Sequence, residues 1–271
     1  MPQQPIRFVT FLAPNIYPVY RFVADYVAEK LKYPTELTDG VSFDQFATNQ
    51  ADVGFICGLP YVQLADQHPP AVKLLAAPVL QGERYQDRPI YFSDVIVRRD
   101  SPFQTFTDLR GCSWSYNDPT SHSGYNLTRY WLAKLGETGC YFSRIVQAGF
   151  HQKSIRLVCT GEIDASAIDS QVLGVELRDY PELAEQVRIV ETFGPSPIQP
   201  VVASCHVPDS LATDICAVLL AMGDDPAAQA ALDRGLVKRF VEVSDTDYDE
   251  IRAMCSLAVG VDLAPHHINF L

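Results

Sequence analysis

The densest run of side chains able to do chemistry is Trp114-Ser115-Tyr116-Asn117-Asp118-Pro119-Thr120-Ser121-His122-Ser123-Gly124-Tyr125-Asn126-Leu127. An alternating stretch ends at Asn117 and a polar turn containing Pro119 follows. Apolar residues then return at helical spacing at Tyr125, Leu127, Tyr130, Leu132 and Leu135. A serine-rich turn that opens a helix offers backbone N–H groups with no intrahelical acceptor, hydroxyl donors and the positive end of the helix dipole. Those are the ingredients of a site for a phosphate-like anion. The same residues also read as a plain N-cap, with Ser121 or Ser123 serving only the helix's own first turn. From this run alone the cap is the simpler reading, and the surrounding chain has to decide between the two.

The elements that must position these residues alternate. Ile6–Leu12 has the apolar content of a buried strand, and 17–31 repeats Val19, Phe22, Val23, Tyr26, Val27 and Leu31 at a helix period. Thr35–Thr38, Ala51–Ile56 and Leu74–Leu80 read as strands, separated by helical stretches at 42–49 and 61–66. Strand and helix in alternation imply a mostly parallel α/β sheet. A second unit of the same kind follows, with strands at Ile90–Arg98, Cys112–Tyr116, Ile145–Ala148 and Ile163–Ile168, and a helix at Ser154–Cys159. Its polar residues fall at the carboxyl ends of strands, where open α/β sheets bind ligands. A strand at Val187–Thr192 leads into Gly194-Pro195-Ser196-Pro197-Ile198-Gln199-Pro200, expected to be a stiff connector. A strand at Val201–Cys205 and an amphipathic helix at Asp209–Met222 follow, and shorter helices are expected from Leu232 to Val259. His266-His267 reads as exposed tail.

Bulk properties narrow the function classes. The 271 residues can bury a large core and suggest two domains or lobes; 47% hydrophobic and 20% charged residues fit a globular protein. A net charge of -12 argues against a general nucleic-acid surface, while leaving room for a local anion site built from dipoles and neutral donors. The 7 cysteines are scattered without a C-x-x-C pair, so buried free thiols are expected, rather than a disulfide framework or a zinc cluster. No apolar stretch is long enough to span a membrane. Met1-Pro2-Gln3-Gln4-Pro5 lacks a basic segment followed by an apolar core, so no export signal is expected in the chain as given, and a cytosolic location is one reading of it.

Five segments in order carry a resemblance: Tyr91-Phe92-Ser93, Asp108-Leu109-Arg110-Gly111, Asn117 through Gly124, Ala148-Gly149-Phe150-His151, and Gly161-Glu162-Ile163-Asp164-Ala165. Over about residues 50–205 this set resembles the phosphonate/phosphite/phosphate substrate-binding proteins of ABC importers. The resemblance implies an α/β, two-lobed type 2 periplasmic-binding-protein fold with a ligand cleft between the lobes. Lobe 1 would take 1–95 and 201–271, and lobe 2 would take 96–200. It implies a small phosphorus oxyanion as ligand, no cofactor or metal, no catalysis, ABC transporter membrane subunits as partners, a monomer, and a periplasmic or membrane-associated location.

Carried over by position, Ser121, His122 and Ser123 fall on the anion loop. The family often has Ser-Thr-Ser there, so His122 departs from the pattern: the hydroxyl is lost, and a cationic ring could add charge to the anion site or the ring could block it. His151 falls on a ligand-contacting histidine, Tyr91 on a cleft aromatic, and Phe43 near a position that is often tyrosine. Asp169 could accept a proton from a ligand oxygen, or cap the helix that starts near Ser170. Gln171 and Gln199 stand near positions where aminophosphonate binders carry carboxylates, which points to phosphite, phosphate or a simple phosphonate. Two other functions are weighed: a cytosolic oxyanion sensor of the same fold, and a hydrolase using Ser123, His151 and Asp169. The chain has no G-x-S-x-G elbow to favour the hydrolase.

Overall fold

The computed structural model describes residues 4–263; His266-His267 lies outside them. In chain order it begins with β1 (Ile6–Thr10), α1 (Tyr17–Leu31), β2 (Thr35–Asp39), α2 (Asp44–Ala47), β3 (Val53–Phe55), α3 (Gly58–Ala65) and β4 (Val72–Leu80). The middle holds β5 (Ile90–Arg98), β6 (Ser113–Tyr116), a π-helical turn (His122–Asn126), α4 (Leu127–Lys134), β7 (Arg144–Gln147), α5 (His151–Thr160), β8 (Ala165–Asp169), α6 (Ser170–Asp179), α7 (Pro181–Gln186) and β9 (Val187–Pro197). The chain continues through β10 (Val201–Ser204), α8 (Asp209–Ala221), α9 (Pro226–Leu232), β11 (Val237–Val241) and α10 (Asp249–Leu257). Among the described residues no single helix is long and apolar enough to cross a membrane.

These elements form two compact units. The first holds the described residues up to Ile90 together with Pro197–Asp249, and the second holds Tyr91–Ser196 together with the described residues from Glu250 onward. The crossovers therefore fall a few residues before the expected positions 95 and 200. The chain also crosses a third time, at Asp249/Glu250, so residues 250–263 belong to the second unit rather than to lobe 1 as expected. The reason is visible in the packing. Met254, Val261 and Leu263 join the core of the second unit with Trp114 and Leu127. The Arg129 guanidinium donates to the carbonyls of Val261 (2.8 Å) and Ala258 (2.9 Å).

The first unit is built on a six-stranded sheet of order β11-β4-β10-β3-β1-β2. β1 runs parallel to β2 and β3, while β10 runs antiparallel to both β3 and β4. The four strands of the first eighty residues therefore share one direction, as alternation implies, and the returning β10 is inserted between two of them. β11 pairs antiparallel with β4, where only helices were expected. Its sequence, Val237-Lys238-Arg239-Phe240-Val241, buries Val237 and Phe240 and exposes Lys238. On an edge strand of this kind two adjacent cations interrupt the apolar run that would have identified it. α1 packs its apolar face with Val19, Val23, Ala24 and Val27 buried, and ends at Lys32 in the left-handed conformation, two residues before Pro34.

The second unit has a five-stranded sheet of order β7-β6-β8-β5-β9. β6 is parallel to β7 and β8, and β5 is antiparallel to β8 with Ser93 opposite Asp169. Trp114 on β6 anchors the core, stacked on Phe142 at 4.5 Å with Phe106 edge-on at 6.0 Å. β9 continues through Pro197, so most of the expected proline-rich connector is strand. Its place at the sheet edge permits this, because an edge strand can leave one side of its backbone without ladder bonds. The cysteines are also less buried than expected: Cys140 and Cys205 are exposed and the other five are half-buried, all as free thiols.

Candidate anion-binding site

The strand directions of the second unit gather the predicted residues at one sheet edge. β6, β7 and β8 are parallel, so their carboxyl ends lie together. β6 leads to Ser121, His122 and Ser123; β7 leads through Gly149 to His151; β8 ends on Asp169 itself. β5 is antiparallel to β8, which brings its first residues, including Tyr91, to that same edge. The β6–β7 ladder extends past both strands: Ala148 N–H donates to Tyr116 O at 2.7 Å and Gly149 N–H to Asn117 O at 2.9 Å. Those bonds fix the spacing between the serine turn and the turn that precedes His151.

Each side of the serine turn is held. Ser121 caps it, its Oγ accepting from Gly124 N–H at 3.1 Å, while its carbonyl accepts from Asn126 N–H at 3.0 Å in the π-helical pattern. Ser93 Oγ on β5 donates to Ser123 O at 2.9 Å. Ser121 Oγ and Ser123 Oγ are 3.5 Å apart, and Ser123 Oγ lies 3.2 Å from His151 Nε2. Ser121, Ser123 and His151 are all buried. His151 is the first residue of α5, because Gly149 turns left-handed (φ 88) and Phe150 is extended, so the helix starts three residues earlier than its apolar spacing suggests.

Burial lowers the His151 pKa to about 3, so the ring is neutral and carries one proton. If that proton is on Nε2, it goes to Ser123 Oγ and leaves the serine proton free to give. If it is on Nδ1, Ser123 donates to Nε2 and Nδ1–H is the spare donor. Either way the pair keeps one donor for an anionic oxygen. Nδ1 itself is buried and no described residue hydrogen bonds to it, and Ser154 Oγ, on the first turn of α5, is likewise buried and unpaired. A hydrolytic triad would place its orienting carboxylate on Nδ1. Asp169 is instead engaged as the N-cap of α6, Oδ1 accepting from Gln171 N–H at 2.8 Å and Val172 N–H at 3.1 Å.

His122 is fully buried and burial lowers its pKa to about 3. Asn126 Nδ2 can only donate, so its 3.1 Å contact makes His122 Nδ1 the acceptor. The ring proton is then on Nε2 and is donated to Ser196 Oγ at 2.7 Å. A cationic His122 adding charge to the loop is therefore not the state this geometry supports. Tyr91 is fully buried, its ring centroid 6.4 Å from that of His122.

Phe43 and Gln199 belong to the first unit. Phe43 precedes α2 and stacks on Phe11 at 4.3 Å, so its ring has an apolar role at the strand end following β1. Gln199 is buried in the short link that leads into β10, after Ile198, whose carbonyl accepts from Tyr248 Oη at 3.0 Å. Gln171 is buried on the first turn of α6. Five residues at the site were given no role from the sequence: Ser93, Asn117, Asn126, Ser154 and Ser196. Ser93 and Asn117 sit within segments that carried the resemblance and Asn126 within the polar run around Ser121, whereas Ser154 and Ser196 show no local signal.

Two expectations follow. Both buried histidines have folded pKa values below the ordinary value of 6.5, so the unfolded chain binds the extra protons. Stability is therefore full above that value and declines as pH falls toward about 3, with a slope of about 1.4 kcal/mol per pH unit per histidine. Urea midpoints at a series of pH values should show this decline, and His122→Gln should remove about half of it between pH ~6 and pH ~5. At the α6 cap, Asp169→Asn should leave stability within about 0.5 kcal/mol, while Asp169→Ala should cost about 0.5–2 kcal/mol. Equal losses in the two variants would show that the cap is not what Asp169 contributes.

Two α/β units joined by three passages of one chain define the fold of a two-lobed binding protein of type 2. The family model described as "ABC transporter, phosphonate, periplasmic substrate-binding protein" matches residues 10–248, and the chain belongs to that family of substrate-binding proteins. It is 25% identical over 151 residues to the phosphonates-binding periplasmic protein of Escherichia coli (strain K12), a match spanning 54% of this chain and 44% of that one, so less than half of that relative's length. Among solved structures it is similar to a binding protein component of an ABC phosphonate transporter from Pseudomonas aeruginosa, with TM-score 0.81, 16% identity, and coverage of 93% of this chain and 85% of that one. It is similar also to PhnD1 from Prochlorococcus marinus in complex with methylphosphonate, with TM-score 0.81, 17% identity, and coverage of 92% and 96%.

Proposed function

We propose that this chain is the substrate-binding component of an ABC importer and that it takes a small phosphorus oxyanion: a simple phosphonate, phosphite or phosphate. The observation that carries the reading is the Ser123 Oγ to His151 Nε2 contact of 3.2 Å, at the head of a helical segment that Ser121 caps. Ser121, Ser123 and His151 supply neutral donors, and the helix start adds its dipole; together these hold an anion without a fixed cation. His122, Tyr91 and Asp169 stand at the same strand ends of the second unit. Gln171 and Gln199 offer no carboxylate to meet an amine, so aminophosphonates are disfavoured. Selectivity rests on pairing every ligand oxygen, since a buried polar group left unpaired costs about 1–3 kcal/mol. In this role the protein works as a monomer at the outer face of the membrane, delivering ligand to the transporter's membrane subunits.

A thermal-shift panel of methylphosphonate, phosphite, phosphate, 2-aminoethylphosphonate and sulfate tests the reading. A true ligand present at about 100 times its Kd stabilises the protein by about 2.7 kcal/mol. A panel in which only 2-aminoethylphosphonate shifts the melting curve would reverse the assignment of ligand class.

A further inference from the structure

We propose that His122 is a positioning residue, coupling the Ser121–Ser123 loop to all three segments through which the second unit is continuous with the first. The proposal rests on the oxyanion reading of that loop. The chain passes between units at Ile90/Tyr91, Ser196/Pro197 and Asp249/Glu250, and the His122 ring is connected to the second-unit side of each passage. Its Nε2–H donates to Ser196 Oγ at 2.7 Å, and Ser196 is the last residue before the second passage. Its ring centroid lies 6.4 Å from that of Tyr91, the two rings tilted by 49°, and Tyr91 is the first residue after the first passage. Its Nδ1 accepts from Asn126 Nδ2 at 3.1 Å, and the Asn126 side chain is a near neighbour of Cys255 on α10, the helix whose first residues carry the third passage.

The ring is well suited to this task. It is fully buried, so its hydrogen bonds do not compete with bulk water. Burial keeps it neutral at physiological pH, and with Asn126 Nδ2 donating to Nδ1 the single ring proton sits on Nε2, so both hydrogen bonds have one sense. Its neighbours Ser121 and Ser123 are themselves tied to Gly124 N–H and to His151, so a displacement of the loop backbone moves the imidazole between them. A threonine or alanine at this position could not span from the turn to Ser196 and Asn126 at once.

Hydrogen exchange on the full chain, with and without saturating methylphosphonate, tests the coupling, with phosphite and phosphate as further probes. In the unaltered protein, ligand should slow exchange in the serine loop and also in residues 91–95, 191–196 and 250–255. In His122→Ala the loop should still be protected at saturation while the three passages are not, and affinity should fall by about threefold to tenfold. His122→Gln, which retains a donor at comparable reach, should recover part of the protection at 191–196, which a merely structural role would not restore selectively. Ser196→Ala keeps the imidazole and removes its acceptor; it should lose protection at 191–196 and so tests the proposal even if His122→Ala does not fold. Equal protection of all three passages in His122→Ala and Ser196→Ala overturns the coupling. Loop protection without passage protection in the unaltered protein overturns it too, while leaving the oxyanion reading intact. No ligand-dependent protection anywhere is a failure of the oxyanion reading and removes the coupling with it.

Discussion

Gly124→Ala should destabilise the protein by about 1–3 kcal/mol and weaken oxyanion binding at the same time. An added Cβ at Gly124 would stand 2.1 Å from Asn117 Oδ1 and 3.1 Å from His151 Cε1. The first distance is impossible for real atoms, so the Asn117 side chain must move. Its backbone has little freedom to follow, because its carbonyl accepts from Gly149 N–H at 2.9 Å, and that bond sets the turn before His151. Displacement therefore reaches both halves of the site: the serine turn that Gly124 belongs to and the histidine that Ser123 faces. The requirement at Gly124 is one of space and not of backbone angle, so serine should be no better tolerated than alanine. Denaturant midpoints report the first effect and calorimetric titration the second. A variant with unchanged midpoint and affinity would mean that the close approach of Asn117 and His151 to Gly124 plays no part in forming the site.

Ser123→Ala should lower affinity for the best oxyanion by about tenfold to a hundredfold while the protein stays folded. The substitution removes the hydroxyl that either donates to the ligand or passes that task to the imidazole. It also leaves His151 Nε2 buried without its 3.2 Å partner. Two costs then act in the same direction, one in the complex and one in the free protein, and only the first appears in the affinity. Ser123→Thr retains a hydroxyl and should fall between the two. His151→Ala should show a loss of similar size to Ser123→Ala, and the double variant should lose less than the sum, since the two side chains act as one donor unit. Additive losses would mean that each contacts the ligand independently.

Much of the fold was legible because its signals are local. The period of α1 and the apolar runs of β1, β3, β4 and β5 follow directly from Val, Ile, Phe and Leu spacing, and the strand-helix alternation gives the parallel strands. What was missed depends on distant partners. β11 is recognisable only from its pairing with β4, because Lys238 and Arg239 sit in the middle of its five residues. The proline-rich stretch is strand because β9 lies at a sheet edge, a fact about topology and not about composition. The transfer of residues 250–263 to the second unit depends on Arg129 reaching the carbonyls of Ala258 and Val261 across more than a hundred positions.

The site divides in the same way. Ser121 as a cap follows from its sequence, and Asp169 as a cap was one of two readings of it; the structure engages both in these bonds. The spacing of β6, β7 and β8 then brings His151 beside Ser123, which no local pattern contains. His122 is the residue whose environment was least legible. As a type it suggested charge, but its burial and its bonds to Asn126 and Ser196 make it a neutral strut. That difference is one of desolvation, which a sequence does not display.

The most direct measurement is calorimetric titration of the purified chain with methylphosphonate, phosphite and phosphate, repeated on Ser123→Ala. At least one of the three should saturate a single site per chain with a dissociation constant in the micromolar range or tighter, and the Ser123→Ala protein should bind it markedly more weakly. Saturation by none of them at millimolar concentration, or equal affinity in the Ser123→Ala protein, would contradict an oxyanion site at Ser123.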